Sequence, residues 1–229
     1  MTLDQLIGAI QNNIGAGLKE VGNYPYSLEQ IKDEISNTRS QIVYSLSKLG
    51  KLDAKDFAQT PENSFEVVPA QFSGTDFMEE GVSVATIYIP RLTQTAAGVS
   101  PIVYLGPMDM SLNMIVYFDY NKANSHKYSR IIKNLPYAMI GAVQNDTGDL
   151  PVHLFNLGPM PFKYATVRAI FDDPIKVMEE NDGVYAGEVE FPAPLGVQEM
   201  IIDQLSDKYI TYYRKLAHPN EPNDQTDKH

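Results

Sequence analysis

Cysteine and tryptophan are both missing from this chain of 229 residues. Without cysteine there is no disulfide, no thiol nucleophile and no Cys-ligated zinc or iron–sulfur centre. That absence leaves the redox compartment undecided. Histidine is scarce as well. His126, His153, His218 and His229 form no HxH, HxxH or HExxH pair, so a metal would have to be gathered from distant segments. No metal and no cofactor are expected. Positive charge is also in short supply: 18 Lys+Arg face 29 Asp+Glu, a net charge of −11. Tight nucleic-acid binding is led by Lys and Arg on phosphate, so this balance argues against it. No stripe of basic residues interleaved with aromatics stands out.

Long apolar runs are missing too. No stretch reaches the about 18 apolar residues of a membrane helix. The richest, Val82–Ile89, has the length of a strand and contains Ser83 and Thr86. Met1-Thr2-Leu3-Asp4 opens with an acid, and Ile7 and Ile10 run into Gln11-Asn12-Asn13, so no secretory leader is expected. The reading is a soluble protein without membrane insertion that stays where it is made. The usual nucleophile motifs, GxSxG and SxxK, are absent, and no glycine-rich loop opens a helix to cradle phosphate. Gly15-Ala16-Gly17 follows a helical pattern, where glycine ends the helix.

What is present fits a globular protein: 43% hydrophobic and 21% charged residues, enough for one large domain or two small ones. The order of patterns predicts an α+β fold. Residues 1–60 read helical. Leu3, Leu6, Ile7, Ile10 and Ile14 form one apolar face behind Thr2, a plausible N-cap. Ser27 with Gln30 makes a capping box, and Leu28, Ile31, Ile35, Ile42, Leu46 and Leu49 continue a stripe closed by Gly50. The simplest arrangement is a helical hairpin. Residues 61–190 read as an inserted antiparallel β-rich region, with candidate strands at 64–68, 82–89, 102–105, 114–118, 138–143, 152–155 and 165–171. Residues 121–134 fit a short helix or an exposed excursion equally well. Residues 191–217 hold a C-terminal helix that starts after Pro194 and completes the helical layer, with Ile201, Leu205, Tyr209, Tyr212 and Leu216 on one stripe. Residues 218–229 form a polar tail with almost no apolar side chain.

Chemistry is thin along this chain. Asp172-Asp173 before Pro174 stands at a strand end, where a catalytic carboxylate can sit, but Asp before Pro more often caps a turn. Asn145–Asp149 lacks the closing Glu of a calcium loop and reads as a turn, as does Glu179–Gly183. Contact residues are abundant by comparison. The chain has 14 Tyr in all three regions, and tyrosine couples a large contact area to a polar tip. Scarce chemistry beside abundant contact residues leans toward a binding or structural protein.

Several segments, in order, resemble the ring or neck proteins of crAss-like tailed phages, which join the portal to the tail. They are Ile35-Ser36-Asn37-Thr38-Arg39-Ser40-Gln41-Ile42, then Ile102-Val103-Tyr104-Leu105-Gly106-Pro107-Met108-Asp109-Met110-Ser111-Leu112, then Val167-Arg168-Ala169-Ile170-Phe171-Asp172-Asp173-Pro174. Phe191-Pro192-Ala193-Pro194 and the tail Pro219-Asn220-Glu221-Pro222-Asn223-Asp224 follow. The likeness spans residues 28–224; Asn113-Met114 stands where the family often has Pro-Phe. The resemblance implies a homo-oligomeric ring of about twelve copies stacked under the portal or beside adjacent ring proteins, with a helical layer, a β region and no catalytic residues.

Physical reasoning adds roles. Arg39, inside a helix of apolar and small residues, is either a fork to a carboxylate, within the subunit or on its neighbour, or a solvated side chain on the polar face. The tail could wrap a neighbour and order on assembly. The interface candidates are Arg39, Tyr24, Tyr26, Tyr212, Tyr213, Pro219, Glu221 and Asp224. Acidic residues on the channel-facing surface would let phage DNA pass without sequence-specific binding. The expected place is the virion neck, after synthesis in the host cytoplasm. The rival readings are a receptor- or carbohydrate-binding virion module, against which the lack of Trp counts, and a β-rich hydrolase using Asp172 or Asp173.

Overall fold

A computed structural model describes residues 1–17, 26–69, 84–141, 149–157, 162–179 and 186–217. The fold is α+β. Helices α1 (Leu3–Gly17), α2 (Leu28–Lys48) and α5 (Leu195–Ala217) flank a β region with eight strands among the described residues. Local chemistry sets the helix starts. Gln5 N–H donates to Thr2 Oγ1 while Thr2 N–H donates to the Gln5 side chain, and Ser27 and Gln30 repeat that reciprocal pair at α2. The faces that follow bury Leu3, Leu6, Ile10 and Ile14 of α1, Ile31, Ile35 and Val43 of α2, and Ile201, Leu205 and Tyr209 of α5 in one core.

The helical layer is organised around its C-terminal member. α5 runs along both α1 and α2, and these are the main helix–helix contacts of the layer. The stripes are also shorter than their periodicity suggests. Leu28, Leu49 and Tyr212 are exposed, and Arg39 takes the central buried position of α2. The side chain of Leu216 lies outside the described residues.

The β region is a pair of facing sheets. One has the order β1–β8–β4, from β1 (Phe65–Glu66), β8 (Tyr164–Ala169) and β4 (Ile102–Pro107). The other runs β2–β3–β7–β6–β5, from β2 (Val68–Pro69), β3 (Val84–Ile89), β7 (Leu150–Phe155), β6 (Tyr137–Ile140) and β5 (Ile115–Tyr117). Alternation places Ile87 and Ile89 of β3, Val152 and Leu154 of β7, Leu105 of β4 and Val167 of β8 between the sheets. The expected strand at 64–68 is two strands, because the chain crosses between sheets at Val67: Phe65 pairs with Ala165, while Val68 pairs with Thr86. Pro69 is tolerated because β2 is an edge. The expected turns at 145–149 and 179–183 fall mostly outside the described residues, as does the tail.

One pairing departs from the antiparallel expectation. β5 and β6 are parallel, Ile115 opposite Tyr137. Parallel strands need a crossover, and helix α3 (Tyr120–Tyr128) with the turns after it supplies one across the outer face of the five-stranded sheet. A last short helix, α4 (Pro174–Glu179), lies where the sandwich meets the helical layer: its Val177 belongs to the sandwich core, its Ile175 and Met178 to the helical core.

Candidate functional site

Ser36, Arg39 and Ser40 share one face of α2 through their three- and four-residue spacing. All three reach toward the end of β8. Ser36 Oγ donates to Asp173 Oδ1 at 3.2 Å, and Ser40 Oγ lies 3.2 Å from both the carbonyl and a carboxylate oxygen of Asp172. Between them Arg39 is fully buried. Its Nε donates to the Pro192 carbonyl at 3.0 Å, Nη1 to Phe171 at 3.0 Å and Nη2 to Phe57 at 2.7 Å. The guanidinium also sits 5.9 Å from the centre of the Phe57 ring.

This corrects the reading of Arg39. It is neither solvated nor forked onto a carboxylate: each of its three nitrogens donates to a backbone carbonyl, from three separate segments. Burial lowers its pKa to about 9, while the charges of Asp172 and Asp173 act the other way; it is a cation at neutral pH. Removed from the surface, Arg39 acts as the internal knot between the helical layer, the sandwich and the segment leading into α5.

The two aspartates are equally occupied. Asp173 accepts from the Ile175 and Lys176 amides, both at 3.1 Å, and so caps α4 with Pro174 at its first position. Asp172 adds Arg91, 3.7 Å away, to its contact with Ser40. Neither aspartate lines the 650 Å³ cleft between residues 91–101 and the β5–α3 segment, whose carboxylate is Asp119. Asp119 in turn caps α3 through the Asn121 amide at 2.8 Å. Among the described residues no group of three His, Asp or Glu gathers as a metal site, and no helix is long and apolar enough to cross a membrane.

The predicted tyrosines divide. Tyr26 lies against Tyr209, ring centres 4.0 Å apart, and Tyr212 stands 6.2 Å from Tyr26. Tyr213 packs partly buried on the helical core. The Tyr26 and Tyr209 hydroxyls are buried without a hydrogen-bond partner, as is Ser206 Oγ one turn away. Burial pushes the Tyr209 pKa up to about 12, with Glu34 and Tyr26 adding to it, and raises that of Tyr26. Beside them Lys208 pairs with Glu34 at 2.7 Å. Tyr24, Pro219, Glu221 and Asp224 lie outside the described residues.

The 102–114 segment is held by its own backbone. Tyr104 Oη donates to the Pro107 carbonyl at 2.7 Å and approaches that of Leu112 at 3.1 Å. A side chain at Gly106 would collide with the Leu112 carbonyl oxygen, which explains the glycine. Asn113 and Met114 fit the turn in their own way. The Asn113 side chain accepts from the Leu105 amide at 3.3 Å, and Met114 is buried in the sandwich core.

The crossover holds what the sequence reading passed over. His126 is buried, stacked on Tyr137 at 4.2 Å, with Tyr137 stacked on Phe155 at 4.7 Å. Its Nε2 meets the Leu135 carbonyl at 3.2 Å and its Nδ1 the Tyr117 hydroxyl at 2.9 Å. A carbonyl only accepts, so Nε2 carries a proton and donates to Leu135, and Nδ1 shares a hydrogen bond with the Tyr117 hydroxyl. Asn156 closes the same loop, donating to the Lys133 carbonyl at 2.9 Å and toward that of Leu135 at 3.3 Å, from a left-handed backbone with φ of 58°. The same crossover is a local basic patch: residues 120–141 hold Lys122, Lys127, Arg130 and Lys133 with no acid. Counting charge in a local window would have found it.

The chain matches no known protein family and no curated protein.

Proposed function

We propose that this chain is a structural virion protein, one subunit of an oligomeric ring in the neck of a tailed bacteriophage. The ring links the portal to the tail and lines the channel through which DNA is ejected. The observation that carries this reading is where the family-like segments meet. Arg39 from the first ties together Phe171 of the third and Pro192 of the fourth through two of its three carbonyl contacts. Segments separated by more than a hundred residues thus resemble the family where they build one junction. That three of the five segments share one region of the fold supports the reading.

The partners on this reading are about twelve copies of the chain itself, the portal or adjacent rings, and DNA that passes without being read. The net charge of −11 suits a channel wall that repels a polyanion at short range. The polar tail 218–229, with Pro219, Glu221 and Asp224, supplies contact area to a neighbouring copy or ring. Electron microscopy of the native particle tests the proposal. A closed ring of this chain at the portal vertex is expected; a particle lacking the chain there rejects it. Deleting residues 218–229 should impair ring or tail assembly, and unchanged assembly would sink the role of the tail.

A further inference from the structure

The crossover between β5 and β6 is the most basic stretch of an acidic chain. Its four cations stand without a single acid from 120 to 141. Anchoring and display are divided cleanly. Ala123 and His126 point inward, buried against the sheet, while Lys122, Tyr128, Arg130, Ile131 and Lys133 face outward. Tyr128 is 76% exposed and Ile131 is 89% exposed.

The projection is rigidly built. Ser129 closes its turn, accepting from Lys133 N–H at 3.2 Å through its carbonyl and from Ile132 N–H at 3.3 Å through its side chain. His126 and Asn156 fix its far end at the Leu135 carbonyl. A left-handed Asn and a buried His are costly ways to hold a loop whose tip is solvent. They are explained if the tip must keep its shape to fit another surface. Its composition, an aromatic and an isoleucine beside an arginine and rimmed by lysines, is that of a protein contact centre. A phosphate-binding loop has no use for an exposed Ile131.

The chain carries the complementary surface. On the outward face of α5, Glu199, Asp203 and Asp207 follow one another at four-residue steps, all exposed. Like charges at that spacing destabilise a helix. No ion pair among the described residues relieves them, and the adjacent Lys208 is engaged by Glu34 at 2.7 Å. The ridge is flanked by Met200, 47% exposed, and Tyr212, 53% exposed. The crossover packs on β5 and β6, whereas α5 packs on α1 and α2, so the two patches belong to different parts of the molecule. Two different patches that fit each other make a head-to-tail contact, the kind that closes rings.

We propose that the 120–135 projection of one copy docks on the acidic α5 ridge of a second copy of this chain, with Tyr128 and Ile131 against Met200 and Tyr212. This rests on the ring reading and names its subunit contact. The test is a charge swap on the full chain followed by sedimentation velocity at low and high salt. One variant carries Lys122→Glu, Arg130→Glu and Lys133→Glu; the other carries Glu199→Lys, Asp203→Lys and Asp207→Lys. Wild type self-associates, more weakly in high salt. Each variant alone associates at least about tenfold more weakly. Their equimolar mixture recovers association, because each offers the other a projection and a ridge of opposite sign; a misfolded variant would not. Variants that associate like wild type, a mixture that stays dissociated, or a wild type that stays monomeric at every concentration each overturn the docking proposal. The ring reading is judged separately, by microscopy of the particle.

Discussion

In the helical layer the buried side chains are mostly large aliphatics, Leu3, Leu6, Ile10, Ile14, Ile31, Ile35 and Ile201 among them, and buried polar atoms without partners collect beside them. The Tyr26 and Tyr209 hydroxyls, Ser206 Oγ and Gln198 Oε1 are all in this layer. The sandwich is built the other way. Ala85, Ala138, Ala165 and Ala169 stand among its buried side chains, and no described side chain of its strands holds an unpartnered buried polar atom; the one such atom beside it is Gln59 Oε1, on the segment paired with Ala169. Each such orphan costs about 1–3 kcal/mol. Among the described residues the helical layer thus holds four of the five such atoms, and the strands of the sandwich are the better satisfied part of the molecule. A layer that also displays the exposed α5 face is where contact with another surface would offset that cost.

The largest effect should fall at the joint between the two. Arg39→Ala removes a buried fork and withdraws one donor each from Phe57, Phe171 and Pro192. The expected loss is about 3–5 kcal/mol in urea unfolding. Arg39→Lys should recover only part of it, since an ammonium cannot span three carbonyls in a plane. Hydrogen exchange should show amides of the helical layer losing protection before those of β3 and β7. A loss below about 1 kcal/mol, with the two halves still unfolding together, would place the joint elsewhere.

The elements were legible because their signals are local. Reciprocal Ser27–Gln30 capping, apolar spacing in α1 and Val/Ile-rich runs between turn residues depend only on neighbours in the chain. The joint was half legible: Arg39 stood out as a charge within an apolar stripe, but its partners are backbone carbonyls, which carry no sequence signature. The split at Val67 and the parallel β5–β6 pair were invisible, because pairing is decided by strands far away in sequence. The setting of His126 left no trace in the sequence because its partners, Tyr117 and the Leu135 carbonyl, come together only through the crossover.

One substitution made in both halves sharpens the comparison, since it should act with opposite signs. At Gly106 an added methyl group would strike the Leu112 carbonyl oxygen and crowd the Tyr104 ring. Gly106→Ala should therefore destabilise the protein by about 1–3 kcal/mol. At Gly8, in the middle of α1, nothing lies within 4 Å of the added carbon. Gly8→Ala should stabilise by about 0.5–1 kcal/mol, through the lower entropy of the unfolded chain and better helix propensity. Thermal unfolding of the two variants checks both signs. A stabilising Gly106→Ala would mean that the 102–114 turn adapts easily, and the contrast between a tight and a loose half would weaken.

The smallest effect is the most direct probe of the unsatisfied layer. Tyr209→Phe deletes a buried hydroxyl that has no partner and leaves the ring against Tyr26. Removing an unpaired polar atom relieves desolvation and sacrifices no hydrogen bond, so stability should rise by about 1 kcal/mol, the low end of the cost of such an orphan. The pH dependence supplies a second readout. Tyr209 has its folded-state pKa raised from 10.0 to about 12. Its contribution is present below the unfolded value and is lost as pH climbs from 10 toward 12, where the unfolded chain releases the proton that the folded chain keeps. Wild type should accordingly lose stability faster than Tyr209→Phe across that window, while the two run parallel at neutral pH. A Phe variant that is clearly less stable at neutral pH would show that the hydroxyl has a partner after all, and the helical layer would then be as well satisfied as the sandwich.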